Sequence, residues 1–156
     1  MSRTPITRVV IQEEDFYPAN QQEWLRQQSL LVGAVAEFTG LVRADEHESS
    51  VIRAIFLEHY SPMTERSIEK IIEQAAEKWQ LIAVSVVHRI GYLATGDRVV
   101  YVGVASRHRK DALACVGFIM DYLKNDVPIW KKEISEHSSG WVTQKTSDVS
   151  AKQSWT

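Results

Sequence analysis

The stretch Leu81-Ile-Ala-Val-Ser-Val-Val-His-Arg-Ile-Gly-Tyr-Leu-Ala-Thr-Gly-Asp-Arg-Val-Val-Tyr-Val-Gly-Val-Ala105 decides the fold class. Its two ends, 81–90 and 98–105, are dominated by β-branched residues and read as strands, and a Thr95-Gly96-Asp97 turn lies between them. So short a connection predicts an antiparallel pair, because a parallel one needs a crossover of about a dozen residues or more.

Upstream, 8–12 reads as a strand, and Pro18 opens a short helix to residue 27 with Trp24 and Leu25 facing inward. A long strand over 30–43 follows, in which Gly33 and Gly40 signal a bulge or a close backbone approach. Residues 44–50 lack apolar residues and periodicity, and read as a mobile loop. After a strand over 51–60, Pro62, Glu65 and Glu69 mark the start of a helix reaching Trp79. Its apolar residues Ile68, Ile71, Ile72, Ala75, Ala76 and Trp79 recur every three or four positions and predict one buried face.

Downstream, 108–125 is apolar on most sides, as expected of a helix covered by a sheet or by another subunit. Pro128 ends it. Residues 129–134 alternate as a strand that pairs, through a turn at 138–140, with a strand over 141–146. Strands and helices mixed without strict alternation predict an α+β domain with an antiparallel sheet, not a doubly wound fold. The length of 156 residues, 44% hydrophobic and 24% charged, suits one domain over 1–156. No secretion signal or membrane-length apolar run is visible, so a cytoplasmic protein is expected. The single cysteine, Cys115, sits among apolar neighbours and reads as a small buried hydrophobe.

The usual chemical motifs are missing. There is no phosphate-cradling glycine loop, no Gly-x-Ser-x-Gly elbow, and no pairing of the five histidines at metal-ligand spacing, so neither a metal nor another cofactor is expected. Charge is more informative. Between Arg107 and Lys132 six basic residues face three acidic ones, a local +3 on a chain of net charge -2, which suggests a specific anion site.

Arg107-His-Arg-Lys110 falls where a strand ends and the long helix begins. Side chains there lie beside unpartnered backbone N–H groups and the positive end of the helix dipole, which suits phosphate; a solvated basic turn is the plain alternative. Lys124 lies in the last turn of the same helix and Lys131 on the strand after Pro128. Strand alternation puts Ile129, Lys131 and Glu133 on one side and Trp130, Lys132 and Ile134 on the other, so only one of the adjacent lysines can share a face with Lys124. Lysines held close together and partly desolvated yield a neutral amine near pH 7, a base or nucleophile. The plain alternative is a helix-dipole partner and a surface strand residue, and pattern alone leaves both open.

Several motifs occur in an order and spacing that resemble one family. They are Phe38-Thr-Gly-Leu-Val-Arg43, Leu57-Glu-His-Tyr60, His88-Arg-Ile-Gly91, Ser106-Arg-His-Arg109, Phe118-Ile-Met-Asp-Tyr-Leu-Lys124 and Pro128-Ile-Trp-Lys-Lys-Glu133. The chain resembles the large, catalytic subunit of molybdopterin synthase. That resemblance implies an α/β-hammerhead-like domain that dimerises and binds a small ubiquitin-like sulfur-carrier subunit at each end. The carrier's C-terminal Gly-Gly thiocarboxylate would give its sulfur to cyclic pyranopterin monophosphate, making the dithiolene of the molybdenum cofactor. By position, Lys124 would meet the carrier's terminal glycine and Lys131 would move protons beside the pterin. Arg43, His108, Arg109 and Lys132 would form the anion pocket, Glu133 would orient a lysine, and Lys145 stands where the family has a basic residue from the dimer partner. Leu41 departs from the lysine that relatives often carry. A binding module without catalysis, or RNA binding through the basic segment, are the competing classes, the second disfavoured by the acidic remainder.

Overall fold

The computed structural model describes residues 4–44, 46–47, 50–135, 139–141 and 146–155. In chain order the elements are β1 (Ile6–Gln12), α1 (Pro18–Arg26), β2 (Ala34–Leu41), β3 (Glu46–His47), β4 (Ser50–His59) and α2 (Met63–Lys78). There follow β5 (Ala83–Arg89), β6 (Gly91–Ala94), β7 (Arg98–Ser106), α3 (Arg109–Asp126), β8 (Ile129–Ser135), β9 (Ser139–Trp141) and α4 (Thr146–Gln153).

Two sheets form. The first has the order β1-β5-β7-β2, with β5 antiparallel to β7 as the opening stretch predicts and β7 antiparallel to β2. Its β1–β5 pair is parallel, reached through the long excursion that holds α1 to α2. The second sheet runs β3-β4-β8-β9, with β6 also paired to β4. The α+β class expected from the sequence holds.

Alternation along the strands of the first sheet builds a core on each face. Val84 and Val86 of β5 with Val100, Val102 and Val104 of β7 meet Ile68, Ile71, Ile72 and Ala75 of α2 and Ala112, Cys115, Phe118, Ile119 and Leu123 of α3. The opposite face sends Ala83, Val87, Tyr101 and Ala105 against Phe16 and Leu25 beneath α1. There the buried Ser85 hydroxyl donates to Gln21 Oε1 (2.7 Å) and the Tyr101 hydroxyl to Glu37 (2.6 Å). Burial and that carboxylate both push the Tyr101 phenol up. A third cluster, Val42, Ile52, Ile55, Leu57 and Leu93, belongs to the second sheet.

The two glycines singled out in the β2 region act as expected. A Cβ on Gly33 would lie 2.2 Å from the Arg107 carbonyl oxygen, so backbone meets backbone there, and the register slips between Gly40 and Leu41. The segment read as a loop over 44–50 is partly a hairpin, with Glu46 opposite Val51 and His47 opposite Ser50. Its lack of apolar residues hides a backbone pairing. The turn placed at 138–140 is also corrected, because Ser139 and Gly140 already pair with Ile134 and Glu133. Of the strand expected over 141–146, residues 142–145 lie outside the described residues and Thr146 opens α4 instead. That short, weakly amphipathic helix packs on α3, carrying Trp155 onto the rings of Trp79 and Phe118 (centroids 5.9 and 5.7 Å) and its indole N–H onto Asp121. Among the described residues no helix is long and apolar enough to cross a membrane.

His88 ends the β5 face that α2 and α3 cover. It is 7% exposed, its Nδ1 lies 2.7 Å from the Arg89 carbonyl oxygen, and burial lowers its pKa to about 4. The unfolded chain therefore takes up this proton first as pH falls. We predict that stability drops between about pH 6.5 and 4, by about 3 kcal/mol from this residue. Urea titrations at both ends of that window should lose this component in His88→Phe. Phe118→Ala should cost about 3–5 kcal/mol in the same assay. Gly33→Ala should cost about 1–3 kcal/mol by forcing strand and turn apart.

Candidate functional site

The placement of the basic residues follows from how α3 lies. It leaves the end of β7 through Arg107 and His108 and packs back across β7 and β2. Eighteen helical residues span about 27 Å and nine strand residues about 30 Å, so the last turn of α3 comes to the beginning of β7. The buried cluster shared by Leu123 and Val100 fits that placement. Val100 is opposite both His88 and Gly40, so one row across the sheet carries His88 and ends three residues before Arg43.

Around this end several groups gather. Lys124 is exposed at the last turn of α3, and its charge, with that of His59, disfavours a proton on His88 beyond what burial already does. His59 ends the β4 face that includes the buried Ile55 and Leu57, and its Nδ1 lies 3.0 Å from the hydroxyl of the fully buried Thr64. On β8, Ile129 is opposite His59, Lys131 opposite Leu57 and Glu133 opposite Ile55, so all six side chains occupy one face. Ile129 packs into the cores of both sheets, and Lys131 is one alternation step, about 7 Å, along the strand from it. Lys131 Nζ is 3.8 Å from Glu133 Oε1, with side chains 36% and 21% exposed, a contact that orients the amine more than it stabilises the fold.

Arg43 joins this end from the sheet margin. Val42 donates its N–H to the Asp97 carbonyl (2.9 Å) and accepts from the Gly96 N–H (2.7 Å), which anchors the exposed Arg43 beside the turn between β6 and β7. Lys132, by contrast, is opposite Phe56 on the other face of β8, away from Lys131. His108 and Arg109 stand exposed at the opposite end of α3, fifteen residues or about 22 Å of helix from Lys124. The expected anion pocket is therefore divided within one chain. Arg43, Lys124, Lys131 and Glu133 lie toward one end, His108 and Arg109 at the other. Lys145 lies outside the described residues.

Two other features are chemically excluded from anion work. Burial, aided by Asp111, pushes the Cys115 thiol up to about 12, which leaves no thiolate for sulfur exchange at neutral pH. A hollow of about 400 Å³ between β1 and α2 is lined by Glu69, Glu73 and Glu77, the wrong sign for an anionic substrate. The residues that sequence reasoning missed are His59 and His88. A signal was available: each is a polar residue closing an apolar every-second-residue face, Ile55-Leu57-His59 on β4 and Val84-Val86-His88 on β5.

Nearly the whole chain is matched by known proteins. The chain is 46% identical to the molybdopterin synthase catalytic subunit of Vibrio cholerae over 148 residues, covering 95% of this chain and 97% of the relative. Identity to the subunit of the same name from Escherichia coli is 41% over 149 residues, covering 96% and 98%. The solved structure of molybdopterin cofactor biosynthesis protein E from Burkholderia multivorans superposes with a TM-score of 0.82 at 39% identity, covering 96% and 97%. The family model described as MoaE protein matches residues 11–126. With a family match over most of its length and relatives of this similarity, the chain belongs to the MoaE protein family.

Proposed function

We propose that this chain is a sulfurtransferase, the catalytic subunit of a molybdopterin synthase, acting in the cytoplasm with a small sulfur-carrier subunit. The observation that carries this reading is the shared name of relatives 46% and 41% identical over nearly the whole chain. The amine-bearing end of α3 supports it. The carrier's C-terminal glycine thiocarboxylate and the cyclic phosphate of the pyranopterin are both anions, and bringing them into contact requires fixed positive charge. Lys124 meets the thiocarboxylate, Lys131 exchanges protons beside the pterin, and Arg43 faces the phosphate. Sulfur arrives already activated on the carrier, so the chain needs no reactive thiol, in keeping with the inert Cys115.

The roughly 22 Å between Lys124 and Arg109 gives the dimer a purpose in this reading. One chain supplies the lysines, and a second copy supplies His108, Arg109 and, by its family position, Lys145 to complete the pocket. Lys132, on the far face of β8, serves that shared boundary and not the amine pair.

Two outcomes are expected. Lys124→Ala should still co-elute with the carrier in gel filtration while product formation from thiocarboxylated carrier and pterin precursor falls about 100-fold or more; undiminished turnover removes Lys124 from the chemistry. Mixing Lys124→Ala with Arg109→Ala chains should recover about one quarter of wild-type turnover, because half of the dimers are mixed and one of their two sites is intact. If both residues act within one chain, mixing recovers nothing.

A further inference from the structure

Nothing above assigns a role to the hollow between β1 and α2, which runs along an open edge of the first sheet. β1 is the outermost strand there and pairs only with β5 among the described residues. Its backbone groups divide by alternation. The Ile6 N–H donates to the Ile82 carbonyl (3.0 Å) and the Gln12 carbonyl accepts from the Ile90 N–H (2.9 Å), so in this parallel pair the even positions serve β5. The N–H and C=O groups of Thr7, Val9 and Ile11 point the other way, to the unpaired edge.

The side chains divide in step with the backbone. Val9 and Ile11 pack on the core beneath α2, whereas Val10 joins the opposite cluster, where Arg8 lays its guanidinium over the Trp24 ring (5.7 Å). Between β1 and α2 the hollow of about 400 Å³ combines apolar Val9, Ile72 and Ala76 with the exposed Glu69, Glu73 and Glu77. None of these glutamates forms an ion pair among the described residues, and Lys78, next to Glu77, reaches the Phe118 ring instead (5.9 Å).

The spacing of the acids matches that of a strand. Residues four apart on a helix are separated by a rise of about 6 Å, and alternate residues of a strand by about 6.6–6.8 Å. A row of glutamates on α2 is therefore in step with every second residue of a chain laid along β1. A second copy of β1 does not suit this edge, because antiparallel pairing would bring its own glutamates onto the same face as the first set.

We propose that the open edge of β1 and the acidic hollow beside it form one docking surface for an extended, basic segment of a partner protein. The segment adds as a further strand, exchanging main-chain hydrogen bonds with Thr7, Val9 and Ile11, and places lysine or arginine at alternate positions against Glu69, Glu73 and Glu77. The aliphatic stems cover Val9, Ile72 and Ala76 while the charged heads reach the carboxylates. This surface lies at the opposite edge of the sheet from β2, which leads to Arg43, and its role is independent of the reaction carried out at the amine-bearing end of α3.

The test uses the whole chain and a fluorescein-labelled peptide that alternates lysine with threonine, followed by fluorescence anisotropy. We expect saturable binding that weakens about tenfold in the combined variant Glu69→Gln, Glu73→Gln, Glu77→Gln, the sum of several exposed ion pairs. Methylation of the peptide's backbone nitrogens separates strand addition from charge attraction. Methyl groups on one alternate set of amides should abolish binding, and on the other set should leave it within about twofold, because only one set faces β1. Absence of binding, unchanged affinity in the glutamine variant, or an equal response to the two methylated sets overturns the proposal. The glutamine variant should keep wild-type turnover with carrier and pterin precursor, and the carrier should not displace the peptide; lost turnover or displacement assigns the surface to the reaction and overturns it as a separate docking site.

Discussion

The seating of α3 on the first sheet is the constraint on which the site depends. Ala112, Cys115, Phe118, Ile119 and Leu123 form a single buried stripe, and each fixes the rotation of the helix about its axis as well as its height above the strands. Because packed interiors are close to crystal density, such a stripe leaves little freedom to slide. Lys124 inherits its position from that stripe. The side chain next to it, Leu123, is 5% exposed, whereas Lys124 itself is exposed.

The second sheet reaches the same place by another route. Ile129 follows directly from the proline that ends the helical segment and enters both cores, so β8 begins beside the last turn of α3. Strand alternation then passes the fixed orientation of Ile129 to Lys131 and Glu133. Helix and strand are tied together through a few residues, and the backbone positions of the amines they carry are set by apolar neighbours. The exposed pairs, such as Lys131 with Glu133, add little to stability.

Much of this was legible beforehand because it rests on periodicity. The stripe of α2, the hairpin-like relation of β5 and β7, the end of α3 before Pro128 and the division of Lys131 from Lys132 are all consequences of a 3.6- or 2-residue repeat. The hairpin of β3 with β4 was not legible, since its pairing is made by backbone groups in a polar segment. The parallel placement of β1 beside β5 was hidden for a different reason: it joins segments far apart in sequence, and no local signal encodes that choice. Family resemblance supplied the expected roles of Lys124 and Lys131 but placed His108 and Arg109 in the same site, and only the length of α3 reveals that the two groups stand at opposite ends. His59 and His88 were present in the matched motifs yet carried no chemistry until burial and hydrogen bonding were known.

The helix that separates those two groups also joins them mechanically. An α-helix clamped by sheet on one side and by α2 and α4 on the other behaves as a stiff rod, so the distance between its two ends is held constant. The spacing of Lys124 from His108 and Arg109 is therefore a built-in ruler of the chain, the same whatever either end meets.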